Sequence, residues 1–267
     1  MATKAFAIPT VPSRIEGLKT LLKSISVYID DWDIIIAAQC YTEAQKADML
    51  DYIKSLGLES RTIFKTSDKP LGSFGGRKLC LKSDYDIYCN LDDDMEVIET
   101  QNYNAMAEHA MKDSVGIVAG NWGRNLKLAQ AKIPKMRHEF VKHTIVHTGG
   151  GAVFARKIRD VIMHMPDNLA YDDSEMALMS FVNGYDNYRY MGHVVVHAIV
   201  TKGGLRDWRR VSKGALPNSM YFDYKPTAKK FYDTEGQNYH EPYSQDVKPF
   251  ARTMHLKNKK KREGNNA

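Results

Sequence analysis

The segment from Asp33 to Gln39 reads Asp-Ile-Ile-Ile-Ala-Ala-Gln, an apolar run without polar alternation. A strand with one wet face alternates apolar and polar residues, so an unbroken run belongs to a sheet covered on both faces. Ala5 to Pro9 is a second short apolar strand, stopped by Pro9-Thr10-Val11-Pro12. Between them, apolar residues at 15, 18, 21, 22 and 25 form a helical stripe. Strands alternating with amphipathic helices are the mark of an α/β layered chain.

The same alternation continues. Thr42 to Leu56 is expected to be helical, with Thr42 as N-cap, Gln45 completing a capping box and Gly57 just past the end. Arg61 to Lys65 and Asp86 to Leu91 read as strands, separated by the Pro/Gly-rich loop Lys69 to Gly76 and a helix starting within Gly75 to Lys82. Gln101 to Lys112 is helical, Val115 to Gly120 a strand, and 121–148 an irregular stretch with room for an antiparallel excursion. Gly149-Gly150-Gly151 leads into Ala152-Val153-Phe154, Asp172 to Asn183 reads as a helix, and Val194 to Val200 as a late strand. Residues 1–200 thus read as one unit, 201–247 as an extension on the acceptor side, and 248–267 as a basic, disordered tail.

Charge supports that division. The formal net charge is +6, and Lys248 to Ala267 holds seven Lys/Arg against one Glu, which accounts for all of it. Such a run is a solvated end or a polyanion contact weakened by salt. No segment approaches the roughly 18 apolar residues of a membrane span, and Pro9 interrupts the N-terminal run too early for a signal peptide. Cys40, Cys80 and Cys89 form no CxxC pair, which argues against a zinc site or a disulfide framework; Cys40 and Cys89 close apolar runs, as small buried hydrophobes do. A cytoplasmic location is the expectation.

Chemistry concentrates at Asp92-Asp93-Asp94, which follows the strand ending at Leu91. Open α/β sheets bind ligands beyond the carboxyl ends of their strands. On extended backbone Asp92 and Asp94 share a side while Asp93 turns away. Two convergent carboxylates suit Mg²⁺ or Mn²⁺, which also take water and substrate phosphates. A solvated Asp-rich turn is the competing reading.

Leu91-Asp92-Asp93-Asp94-Met95, at a strand end after a Gly-rich loop and an Arg-bearing helix, resembles the DXD region of family-2-like GT-A glycosyltransferases. The resemblance spans roughly Phe6 to Val200. It implies a Rossmann-like nucleotide-binding half fused to an acceptor-binding half around a mixed, mostly parallel sheet. It also implies that Asp92 and Asp94 surround Mn²⁺ or Mg²⁺ on the diphosphate of a nucleotide-sugar, with a UDP-sugar favoured and His197 as third metal ligand. By the same resemblance Pro9 and Thr10 line the base and ribose site, Arg14 and Arg77 reach phosphate, and Asp68, Asp93, Gly76, Gly150 and Gly151 lie along the donor. Asp173 or Asp172 is the general base, Asp173 preferred, and direct displacement would invert the anomeric centre of a hexose or pentose. The acidic pair has a bland alternative, complementing the helix dipole. His138, His143 and His147 match no zinc signature.

Small bacteriophage enzymes that glycosylate hydroxymethylated DNA bases are similar in size. Lys202, Arg206, Arg209, Arg210 and Lys213 beside Trp208, with the basic tail, could track a DNA backbone and stack an extruded base. A cell-surface glycan precursor or a protein is the alternative acceptor. A nucleotidyltransferase, or a non-catalytic nucleotide- or nucleic-acid-binding module, is the alternative of another class.

Overall fold

The computed structural model describes residues 2–99, 101–123, 136–144, 146, 150–165, 172–197 and 247–265. Its strands are β1 (Lys4–Thr10), β2 (Asp33–Gln39), β3 (Thr62–Ser67), β4 (Ile87–Asn90), β5 (Met95–Glu96), β6 (Val115–Gly123), β7 (Phe140–His143), β8 (Ala152–Ala155) and β9 (Asp186–His197). The helices are α1 (Ile15–Tyr28), α2 (Glu43–Ser55), α3 (Gly72–Leu81), α4 (Tyr103–Ala110), α5 (Arg156–Met163), α6 (Asp172–Val182) and α7 (Val247–Asn265).

Among the described residues the strands form one sheet in the order β3-β2-β1-β4-β8-β6-β9-β5, with β7 also on β9. β1, β2, β3 and β4 pair parallel, as do β6 and β9, while β8 enters antiparallel between β4 and β6. β5 and β7 run against β9. Six strands therefore share one direction, giving the mixed, mostly parallel sheet that the sequence resemblance implies.

Each central strand splits its side chains between two cores. Phe6 and Ile8 join Ile34, Ile36 and the α1 residues Leu18, Leu21, Leu22 and Ile25 on one face. Ala5 and Ala7 join Ile35, Ala37 and the α3 residues Phe74, Cys80 and Leu81 on the other. That two-sided burial is why the β2 run has no polar alternation. Each fully buried aliphatic side chain contributes about 1.5–3 kcal/mol. The Thr42–Gln45 capping box forms as the sequence indicates, and Gly57 follows with φ +69.

Three expectations change. The tail from 248 is not disordered: α7 runs from Val247 to Asn265 and docks on the body. Its Ala251 and His255 are buried, and a charge count cannot register a helix whose inner face is this selective. Cys89 is buried, but Cys40 is only half-buried, with φ +56, because it turns the chain at the tip of β2. The late strand begins earlier, at Asp186, where buried polar residues hide the apolar pattern.

Candidate functional site

The register of the sheet assembles the site. β1 pairs with β4 so that Ala7 lies opposite Asn90, which sets Asp93, three residues on, level with Thr10. The Asp93 carboxylate accepts a hydrogen bond from the Thr10 side chain, and Thr10 Oγ1 lies 3.2 Å from the Tyr41 hydroxyl. Asp93 is 3% exposed and its Oδ2 has no hydrogen-bond partner. Burial pushes its pKa up to about 8; the Thr10 hydrogen bond and Arg14 oppose the rise, while Asp94 and Asp92 add to it. Burial also raises the pKa of Tyr41 well above its usual range.

The flanking aspartates face arginines. Arg77 Nη2 of α3 donates to Asp92 Oδ1 at 2.6 Å. Arg14 Nη1 donates to Asp94 Oδ2 at 3.1 Å. Pro12 opens a short 3-10 turn ending at Arg14, which carries that side chain back toward β4. The three carboxylates thus point toward three different partners, which limits their mutual repulsion.

Backbone completes the edge. Gly151 N–H donates to the Asn90 carbonyl at 2.8 Å, so Gly150 and Gly151 flank the start of the aspartate run. Gly151 has φ +74, a left-handed conformation that glycine adopts freely. At Gly76 α3 comes close to the tips of β1 and β2. A Cβ there would meet Gln39 Nε2 at 2.5 Å and the Pro9 Cβ at 2.8 Å, so its bare face packs α3 onto the sheet. Asp68 stands exposed at the same edge, 3.6 Å from Lys46.

Opposite Asp94, His197 pairs through its backbone with Met95, one residue away; its side chain lies outside the described residues. Asp172 and Asp173 open α6, and their side chains lie outside the description too. Met176, one turn on, has its Sδ 3.6 Å from the Asn90 Nδ2, which sets the first turn of α6 beside the tip of β4. Lys202, Arg206, Arg209, Arg210 and Lys213 lie outside the described residues.

Three residues of the site escape the motif reading. Gln39 is buried and clamps the loop before α3, accepting from Leu71 N–H at 2.7 Å and donating to the Gly72 carbonyl at 3.1 Å. Its signal is a polar residue closing an apolar strand. Gly17 lies where a Cβ would meet the Asp93 carbonyl oxygen at 2.6 Å, so α1 seats directly on the aspartate backbone. A lone glycine inside a helical stripe marks it. Glu175, next to the Met176 that meets Asn90, is fully buried in α6.

The donor set suits a hard divalent cation in part. Among the described residues no group of three His, Cys, Asp or Glu is arranged to hold a metal ion. Asp92 and Asp94 nevertheless supply two carboxylates, at 26% and 19% side-chain exposure, on one strand tip. Mg²⁺ is commonly held by one or two carboxylates plus water and substrate phosphates, so the pair fits.

The sequence matches no protein-family model and no curated protein. Solved structures do match. The mannosyltransferase PcManGT from Pyrobaculum calidifontis, in complex with GDP-Man and Mn²⁺, aligns with TM-score 0.60 and 16% identity over 86% of this chain and 69% of that one. GalNAc-T7 with UDP, GalNAc and Mn²⁺ aligns with TM-score 0.65 and 14% identity over 100% of this chain. This chain spans 55% of GalNAc-T7. S. aureus TarS 1–349 in complex with UDP-GlcNAc aligns with TM-score 0.59 and 12% identity, over 97% and 79% of the two chains. With the sheet order and two-sided core above, these likenesses establish the architecture: the chain has the GT-A fold of glycosyltransferases.

Proposed function

We propose that this protein is a metal-dependent glycosyltransferase that moves a sugar from a nucleoside diphosphate sugar, a UDP-sugar in the first instance, to an acceptor hydroxyl. The observation that carries the reading is the aspartate run at the carboxyl tip of β4, flanked by Arg77 on Asp92 and Arg14 on Asp94, within a GT-A fold. Solvated turns do not bury the middle carboxylate or hold its neighbours with two largely buried arginines.

Asp92 and Asp94, with His197 as third ligand, would hold Mn²⁺ or Mg²⁺. When bound, that ion offsets negative charge on the departing diphosphate. The protein's own groups do the rest. Arg77 and Arg14 place guanidinium charge beside the same edge, suited to phosphate oxygens. Pro9 and Thr10 line the base and ribose side, with Asp68 and Asp93 nearby, and Gly150 and Gly151 border the sugar. Asp173, or Asp172, takes the proton of the acceptor hydroxyl as its oxygen attacks the anomeric carbon, inverting that centre.

For the acceptor we infer a hydroxymethylated DNA base, now on Lys202, Arg206, Arg209, Arg210, Lys213 and Trp208 rather than on α7. Those residues follow β9, which ends beside Met95 at the aspartate edge. α7 docks at the other edge, where β6 and β9 begin.

A donor screen tests the reading. UDP-, GDP- and CMP-sugars are each incubated with Mn²⁺ or Mg²⁺, with and without EDTA, and radiolabel is followed into hydroxymethylated DNA. Donor hydrolysis or transfer that EDTA abolishes is expected. Full activity in EDTA removes the metal assignment, stabilisation by a nucleoside triphosphate alone favours nucleotidyl transfer, and label staying off DNA removes that acceptor.

A further inference from the structure

The C-terminal end of α6 is finished by side chains from another helix. An α-helix leaves its last four carbonyls without partners in its own ladder. Here the turn after α6 serves three of them, with Asn183, Tyr185 and Gly184 N–H donating to the Met179, Ser180 and Phe181 carbonyls, and α7 reaches across to Phe181 and Val182. His255 Nδ1 lies 2.9 Å from the Phe181 carbonyl, and its ring stacks on the Phe181 ring at 4.1 Å. Asn258 Nδ2 donates to the Val182 carbonyl at 2.7 Å. Just beyond, Arg262 Nη2 donates to the Gly184 carbonyl at 2.7 Å and Nη1 to the Asp113 carbonyl at 2.6 Å.

Two further contacts hold α7 against the turn after α6 and against the start of β9. Gly184 has φ +88, and a Cβ on it would meet Lys259 N at 2.5 Å, so the turn after α6 lies flush against the α7 backbone. Asp186, the first residue of β9, is buried and gathers Lys142 Nζ at 2.8 Å, Lys259 Nζ at 2.9 Å and His255 Nε2 at 3.3 Å. Burial pushes the Asp186 carboxyl up, but the hydrogen bonds and charges of Lys142 and Lys259 outweigh it and hold the group below the usual carboxylate range.

The other end of α6 begins with Asp172 and Asp173 and lies beside Asn90 at the tip of β4. An 11-residue helix is about 16 Å long and moves nearly as a rod. Whatever fixes its C-terminal carbonyls also fixes its first turn. We propose that α7 is a positioning element for the active site: His255 and Asn258 cap α6 in trans and so set the placement of the acidic pair at its opposite end. The proposal rests on the reading of Asp172 and Asp173 as the base pair.

Four variants of the full chain test it: His255→Ala with Asn258→Ala, His255→Asn, Lys259→Met, and Asp172→Asn with Asp173→Asn. For the double alanine variant, kcat is expected to fall about ten- to a hundredfold with donor KM unchanged, the scale of a misplaced catalytic group. Hydrogen exchange over 172–182 should quicken while β1 to β4 stay protected. The carboxamide of His255→Asn can donate to the Phe181 carbonyl and should restore most of the rate. Lys259→Met loosens docking at Asp186 without touching α6 and should lower Tm with kcat within about twofold of wild type. Unchanged exchange in α6, or a kcat that simply follows Tm through the three α7 variants, overturns the proposal. Should Asp172→Asn with Asp173→Asn retain full transfer, the base assignment fails, and the exchange measurement still decides whether α7 fixes α6.

Discussion

Replacing Gly17 with alanine sets two contributions of opposite sign against each other. Alanine in a helix interior is favoured over glycine by roughly 0.5–1 kcal/mol. The new Cβ, however, would meet the Asp93 carbonyl oxygen at 2.6 Å, and ordinary contact begins at 3.4 Å, so α1 and the aspartate backbone must separate by about 0.8 Å. The obstacle is backbone and cannot swing aside. Overpacking of this kind costs about 1–3 kcal/mol, leaving a net destabilisation of roughly 0–2.5 kcal/mol. Displacing a binding backbone by nearly 1 Å can cost up to about a hundredfold, and we expect on the order of tenfold in Mn²⁺-dependent nucleotide affinity and transfer. Urea denaturation reads the first quantity and UDP titration with Mn²⁺ the second. Gly57→Ala is the control: φ +69 with nothing within 4 Å of its Cβ, it should cost about 1–2 kcal/mol and leave nucleotide binding alone. A Gly17→Ala protein that is more stable than wild type and binds nucleotide equally well would refute the seating of α1 on Asp93.

Further outcomes follow from the same contacts. With UDP and Mn²⁺ each near a hundred times its dissociation constant, the wild type should gain up to about 2.7 kcal/mol per independently bound ligand, and Asp92→Asn or Asp94→Asn should lose most of that gain; equal thermal shifts in all three would remove both residues from the metal site. Burial pushes His193 down to about 3 and His109 down to about 4. Both folded values lie below the usual one, so their contribution is full above about pH 6.5 and is lost as pH falls toward 3–4. His193→Leu should flatten the fall in urea midpoint between pH 7 and 4, and an unaltered slope would show that His193 is not its source. Asp186→Asn leaves Lys142, Lys259 and His255 converging on a neutral group, and because both lysines keep contact with solvent it should cost about 1–3 kcal/mol in urea unfolding; a loss under about 0.5 kcal/mol would mean that the cluster does not hold α7.

The sheet was legible where burial is two-sided and chemically uniform. The run at β2 and the cap at Thr42 both depend on near neighbours alone, and both stand where local reasoning puts them. The aspartate run was legible as a place, because a strand end can be read from the residues before it. Its partners were not. That Asp92 meets Arg77 and Asp94 meets Arg14 depends on the β1–β4 register and on the reach of α3, neither of which is local in the chain. Gly76 shows the same limit: that its bare face meets Pro9 and Gln39 depends on how α3 packs on the sheet, which the loop's own residues do not reveal. α7 was missed because its basic composition dominated the reading. The few residues that dock it (Ala251, His255, Asn258) are spread at helical spacing among charges that remain in solvent.

That placement of α7 separates the tail's charge from the chemistry. Lys257, Lys260 and Lys261 are exposed within one turn of the outer face, and among the described residues none of them forms an ion pair. β9 runs from the edge where α7 docks to the edge where the aspartates lie; it is bulged between Tyr190 and Val194, and the 9 residues of β6 alongside it, at about 3.3 Å each, put roughly 25–30 Å between the two edges. The Debye length at physiological salt is about 8 Å, so these lysines contribute almost nothing to the potential at the site. Changing all three to glutamine should therefore leave stability within about 0.5 kcal/mol. The KM for a DNA acceptor should stay within about twofold in physiological salt, because few phosphate contacts are lost. The same change at Lys202, Arg206 and Arg209 should raise that KM about tenfold or more, as lost phosphate contacts do. If the α7 substitutions raise it instead, acceptor DNA reaches around the molecule to the far edge, and the separation argued from β9 does not govern binding.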